Sequence, residues 1–64
     1  MKFNEYDSVT LLRDDGQNEL EKGDIGGVVM VFTEPNEAYE VEFVDDNGDT
    51  KAIITVLPNE IEAI

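Results

Sequence analysis

The fold of this chain is decided by residues 38–57, which read AYEVEFVDDNGDTKAIITVL. Two alternating runs flank Asn47-Gly48, and this dipeptide between alternating runs is the strongest short-range signal for a β-hairpin. We predict a two-residue type I′ turn, in which Asp46 faces Asp49. The register then places Phe43 opposite Ala52, Val41 opposite Ile54 and Tyr39 opposite Val56 on one face. It pairs Val44 with Lys51, Glu42 with Ile53 and Glu40 with Thr55 on the other. A shift by one residue would mix the two sets, so turn chemistry and hydrophobic pattern agree.

The rest of the chain divides into further strand-length segments between turn signals. Residues 5–13 and 26–33 are predicted strands, and the polar residues 14–24 form a long loop between them. A single 3₁₀ turn at 58–61 precedes a short terminal strand at 62–64. No window carries the apolar face of a helix over three turns. We therefore predict an all-β fold. Because a flat sheet would expose its apolar face, we expect the strands to form a small five-stranded SH3-like barrel with one short 3₁₀ turn before the last strand. It forms one domain over residues 1–64.

The predicted core takes its inward-facing side chains from every strand and from the long loop. These residues are Val9, Leu11, Leu20, Ile25, Val29, Val31, Tyr39, Val41, Phe43, Ala52, Ile54, Val56 and Ile61. The phase of the second strand stays open, since Val28, Met30 and Phe32 are an alternative inward set.

The composition excludes several classes of function. The chain has sixteen Asp and Glu against four Lys and Arg, a net charge of −12, and no Cys or His. It therefore has no disulfide, no zinc or haem ligation of the usual kind, and no thiol or imidazole catalysis. Direct binding to nucleic acid or to a membrane surface is disfavoured, because phosphates and anionic lipids repel such a chain. Since no signal peptide or apolar span is visible and cysteine is absent, we expect a cytoplasmic protein.

No motif for catalysis, metal binding or a cofactor survives a check of its spacing. Counted from Asp45 as a calcium loop, the sixth position is Thr50 instead of glycine and the twelfth is Val56 instead of glutamate. The glycines match neither phosphate-binding pattern. The pair Glu40 and Glu42 lies on the outward face of the hairpin, where nothing excludes water. We expect neither an enzyme nor a cofactor.

The acidic surface is the remaining functional signal. We expect an acidic protein-interaction module that binds a basic partner protein and neutralises or regulates it, as antitoxins and immunity proteins do. The alternatives are a nucleic-acid mimic that inhibits a DNA- or RNA-binding protein, and a structural accessory subunit of a larger complex. The chain itself is expected to be a monomer or a weak homodimer. The candidate partner-binding residues are Glu40, Glu42, Ile53, Asp14, Asp15, Asp45, Asp46 and Asp49. Among them Ile53 is the apolar anchor within an acidic rim.

Two resemblances bear on the fold. Residues 22–29, KGDIGGVV, resemble the K-G-x-x-G-x-V core of KOW domains, the barrels of ribosomal proteins and elongation factors. A likeness over nearly the whole chain rests on Asp7-x-Val9, LEKGDIG at 20–26, AYEVEF at 38–43 and the ending from Leu57-Pro58 to Ile61. In these the chain resembles an uncharacterised family of short acidic bacterial and archaeal proteins, a domain of unknown function. The resemblance implies an SH3-like fold and no established activity. RNA binding of the KOW type does not carry over, because the basic residues are missing.

Overall fold

Five antiparallel strands form one sheet in the computed structural model, which describes residues 2–64. The strands are β1 (Ser8–Leu11), β2 (Ile25–Phe32), β3 (Ala38–Val44), β4 (Thr50–Val56) and β5 (Ile61–Ala63). A 3₁₀ turn, Gly16–Asn18, lies in the long loop, and another, Pro58–Glu60, precedes β5. The strand order is β4-β3-β2-β1-β5. The predicted all-β fold, five strands and final 3₁₀ turn are confirmed. The sheet is not closed, because β4 and β5 form its edges and do not pair with each other within residues 2–64.

The core consists of side chains from one face of this sheet together with Phe3 and Leu20, which lie outside the strands. Every strand contributes at least one fully buried side chain, and all of them form a single apolar cluster. The cluster consists of Phe3, Val9, Leu11, Leu20, Val28, Tyr39, Val41, Phe43, Ile54, Val56 and Ile61, with Val31 and Ala52 partly buried against it. Phe3 and Leu20 are each 2% exposed, so segments outside the strands help to cover this face.

The register of the β3–β4 hairpin is confirmed over most of its length, including the pairs Tyr39 with Val56 and Phe43 with Ala52. The predicted two-residue turn is wrong. The chain forms a three-residue loop, in which the Gly48 N–H donates to the Asp45 carbonyl and only the glycine has a positive φ. Val44 consequently pairs with Thr50 instead of Lys51, and a bulge restores the predicted register.

The turn forms in this way because a side chain organises it. The Asp45 carboxylate accepts the N–H groups of Asn47 at 2.9 Å and Asp49 at 3.0 Å. An aspartate that bonds the backbone just after itself stabilises such a turn, and the Asn-Gly dipeptide supplies the left-handed position at its second residue.

A bulge between Val28 and Met30 decides the phase of β2. Val28 is fully buried before the bulge, and Val31 packs against the core after it. An extra residue reverses the alternation of side chains, so each of the two predicted phases is correct for half of the strand. The predicted burial of Ile25 is wrong, since its side chain is 62% exposed, and Val29 is only half-buried.

The segment before β1 adds a core residue that the sequence pattern did not indicate. Phe3 is 2% exposed, and its ring meets the Tyr39 ring edge-on at a centroid distance of 5.3 Å. The Phe3 N–H donates to the Tyr39 hydroxyl oxygen at 3.1 Å, and that hydroxyl donates to the Glu37 carboxylate. This hydrogen bond holds the pKa of Glu37 below its ordinary value, while burial, followed by the bond to Glu37, raises the pKa of Tyr39.

Candidate functional site

The outward face of the β3–β4 hairpin carries three of the predicted partner-binding residues. Glu42 pairs directly with Ile53, and Glu40 pairs with Thr55 on the same face. The Ile53 side chain is 54% exposed, whereas both glutamates are half-buried. The Thr50 hydroxyl donates to the Glu42 carboxylate at 2.5 Å. The structure thus brings an apolar side chain and two carboxylates together, as the register predicts.

Further apolar side chains surround these carboxylates. The pairing of Gly26 with Phe43 places Ile25 beside Val44, and these side chains are 62% and 53% exposed. Met30, 47% exposed, pairs with Glu40 from the other side. We call this surface the outer patch; it consists of Ile25, Met30, Val44 and Ile53 with Glu40 and Glu42. Singly exposed apolar residues are ordinary on protein surfaces, but here four of them share one face of the sheet with a pair of carboxylates.

Sequence reasoning missed part of the outer patch. The predicted register already places Val44 on the outward face, so its exposure was available from the hairpin pattern. Ile25 gave no such signal, because its face depends on how β2 aligns with β3. Met30 follows the bulge, and no local pattern indicates where a strand will bulge.

The hairpin tip continues from one end of the outer patch. Asp45, Asp46 and Asp49 are all exposed there. Asp45 has a structural role, since its carboxylate accepts two backbone N–H groups of the turn. The side chains of Asp46 and Asp49 make no hydrogen bond or ion pair within residues 2–64. The tip therefore presents negative charge next to the apolar surface.

An open cleft of about 380 Å³ lies between the long loop and the hairpin tip. Its lining residues include the apolar Ile25 and Val44 and the acidic Asp24 and Asp46. Lys51 also lines the cleft, and it makes no ion pair within residues 2–64. This arrangement suits a long cationic side chain, whose aliphatic stem packs on apolar surface while its charge meets carboxylates.

Asp14 and Asp15 belong to a separate region in the long loop. Asp14 accepts the N–H of Lys22 at 2.8 Å. Asp15 accepts the side-chain amide of Asn18 at 2.9 Å, which is the main cause of its lowered pKa, and it lies 3.8 Å from Arg13. No hydrogen bond or ion pair in residues 2–64 joins either aspartate to β3 or β4. The structure does not group these two candidates with the outer patch.

The few ion pairs lie away from the outer patch. Within residues 2–64, Arg13 makes both of them, to Glu60 at 2.7 Å and to Asp15. The Glu60 carboxylate also accepts the Leu57 N–H at 2.7 Å, and this bond, followed by Arg13, holds the pKa of Glu60 below its ordinary value. The carboxylates of the outer patch have no ion-pair partner in the part of the chain described, so their charge is available to another molecule.

Comparison with known proteins identifies a family of unknown function. A family model described as Domain of unknown function (DUF4926) matches residues 5–63. No curated protein and no solved structure matches the chain. Residues 2–64 contain no helix with the length and apolar composition needed to cross a membrane.

Proposed function

Because this chain belongs to DUF4926, a family of unknown function, we propose its function from the geometry of its surface: it is an acidic protein-interaction module that binds a basic partner protein. The observation that carries the proposal is the outer patch, where four exposed apolar side chains surround carboxylates that have no ion-pair partner in residues 2–64. No catalytic step is part of this proposal.

The two components of the outer patch have different parts in binding. Burial of Ile25, Val44 and Ile53 against a partner supplies affinity through the hydrophobic effect. The carboxylates speed the encounter with a basic protein and select it over acidic ones. An ordinary interface covers about 800 Å² of each partner, and this is about a fifth of the 4294 Å² that the chain exposes. One such interface fits over the β2–β3–β4 surface.

We infer that binding neutralises or regulates the partner, as an antitoxin or immunity protein does. The net charge of −12 opposes compaction of the chain by itself, and a basic partner relieves this repulsion. The cleft beside Val44 offers a place for an arginine or lysine of the partner. If the partner needs that side chain for its own activity, binding in the cleft blocks this activity. The absence of cysteine in the chain supports a reducing compartment such as the cytoplasm as the place of action.

Affinity capture from the source cells at low and at high salt tests the proposal, with the captured protein identified by mass spectrometry. We expect a basic protein that is released as salt rises, because screening weakens its attraction to the outer patch. Glu42→Gln and Ile53→Asp should reduce the capture. Glu34→Gln is the matched control, since it removes one charge from the loop between β2 and β3, at the end of β3 that lies away from the hairpin tip. Circular dichroism of each variant verifies that it is folded.

Three results would contradict the proposal. Equal loss with Glu34→Gln and Glu42→Gln would mean that overall charge acts without the outer patch. Binding that ignores salt but disappears in Ile53→Asp would indicate an accessory subunit that docks by apolar contact. Capture of several unrelated nucleic-acid-binding proteins would indicate a mimic of nucleic acid.

A further inference from the structure

The β4 strand has one free edge. It pairs only with β3, and the groups on its other side form no hydrogen bond within residues 2–64 over Ala52–Val56. Such a row of backbone donors and acceptors is a template for a further strand. The β5 strand at the other edge has only three residues, which is too short for a comparable template.

Protection against pairing is present at both ends of this edge and missing between them. Lys51 lies at the bulge, where the ladder is interrupted. After the strand, the N–H and C=O groups of Leu57 are used by Glu60, and Pro58 follows. Between these limits the sequence AIITV carries no charge and has high β-propensity. Natural edges are usually guarded by charge, proline or a bulge along their length, so an unguarded segment indicates a use for it.

We infer that Ala52–Val56 accepts an extended segment of the basic partner as a sixth strand of the sheet. This inference rests on the proposed function and specifies how the partner is held. Its backbone pairs with the β4 edge, and its outward side chains lie next to Ile53 and Thr55. Glu42 and Glu40 lie on β3, which is the second strand from the added one. Neighbouring strands are about 4.8 Å apart. Long lysine or arginine side chains on the outward face reach these glutamates, so the segment alternates cationic and apolar residues.

A second copy of this chain fits the edge less well. It would bring another net charge of −12 against the first, and like charges repel at this range. Its own edge segment, Ala52–Val56, offers Ile53 and Thr55 to the outward face and carries no charge, and Lys51 lies outside this segment at the bulge. Charge complementarity therefore favours a basic partner.

Short synthetic peptides of alternating valine and lysine test the inference and leave the protein unchanged. In a strand, the N–H groups of every second residue point to the same edge. One peptide is N-methylated on its valines and another on its lysines, so that each has one blocked edge and the same charge. We expect the unmodified peptide to bind, one methylated peptide to bind equally well, and the other to bind at least about tenfold more weakly, because it loses its ladder hydrogen bonds.

Backbone amides of the protein provide the second measurement. With the unmodified peptide, we expect slower hydrogen exchange at every second amide within Ala52–Val56. Equal binding of both methylated peptides would overturn strand addition and leave charge recognition by the outer patch standing. Absence of binding, together with salt-dependent capture of a basic protein, would also overturn it. A dimer of the free protein with protected β4 amides would show that a second copy takes the edge instead.

Discussion

Two neighbouring glycines in β2 show how different the two faces of this sheet are. A methyl group on Gly26 would lie 2.7 Å from Val41 Cγ1, 2.8 Å from the Glu42 carbonyl oxygen and 2.9 Å from Phe43 Cε1. A methyl group on Gly27 would meet nothing within 4 Å. The inner face has no room for an added atom, whereas the outer face has no cover. The inner face therefore holds the packing that stabilises the fold, and the outer face is the one on which the proposed recognition depends.

The largest expected effect comes from placing a methyl group on each face in turn. Gly26→Ala should lower the free energy of unfolding by about 3 kcal/mol, because overpacking against a β-strand backbone forces the strands apart. Gly27→Ala should change it by less than about 0.5 kcal/mol, as at other unconstrained surface positions. Urea unfolding of both variants measures the difference. Similar values for the two would contradict the contrast between the faces.

A smaller loss is expected where the inner face contains a polar group. Tyr39→Phe removes the hydroxyl that accepts the Phe3 N–H and leaves this buried donor unpaired. We expect a loss of about 1–2 kcal/mol in the free energy of unfolding, with faster hydrogen exchange of the Phe3 amide. Glu37→Gln is the control, since its amide oxygen still accepts from the hydroxyl and should cost less. A larger loss in Glu37→Gln would show that the carboxylate charge matters more than the core contact.

The fold could be predicted wherever local alternation alone determines a face. The β3–β4 hairpin follows from its own period of two, and the outward position of Glu40, Glu42 and Ile53 follows with it. The turn could not be derived, because Asn-Gly suits either a two-residue loop or a left-handed glycine after a turn, and the Asp45 carboxylate selects the second. The burial of Phe3 depends on Tyr39, distant in sequence, and no pattern near Phe3 indicates it.

The candidate site was predictable only in part for a similar reason. Six of the eight predicted residues lie on the hairpin or at its tip, where the register places them. Asp14 and Asp15 belong to another region, since charge alone does not tell where a loop will pack. The exposure of Ile25 depends on pairing between β2 and β3, so the sequence predicted only the part of the outer patch that lies on the hairpin.

Partnered and unpartnered carboxylates provide a third, weaker contrast. Glu60 has a lowered pKa, so its contribution to stability is complete above the ordinary value near 4.5 and is lost as pH falls through the lower folded pKa. Glu60→Gln should therefore be less stable than the parent at neutral pH, by less than about 1 kcal/mol because solvent screens the pair. The two proteins should converge in acid. Urea unfolding as a function of pH measures this, and a constant difference would contradict the assignment.

The smallest expected effect concerns the charge that has no partner. Raising the ionic strength from about 0.01 M to 0.15 M shortens the screening length from about 30 to 8 Å. The melting temperature should rise by a few degrees as repulsion among the carboxylates is reduced. Thermal unfolding monitored by circular dichroism measures it. A lower melting temperature in salt would mean that the ion pairs of Arg13 outweigh the repulsion.

The sequence by itself determined that this protein is an acidic all-β domain with one well-specified hairpin, because alternation and charge are properties of neighbouring residues. Tertiary structure decided the phase of β2, the burial of Phe3 and the grouping of Ile25 with Val44. These depend on bulges and on pairing between strands that are distant in the chain. The position of a bulge depends on how a strand pairs with its neighbour and packs on the core, so no segment read alone reveals it.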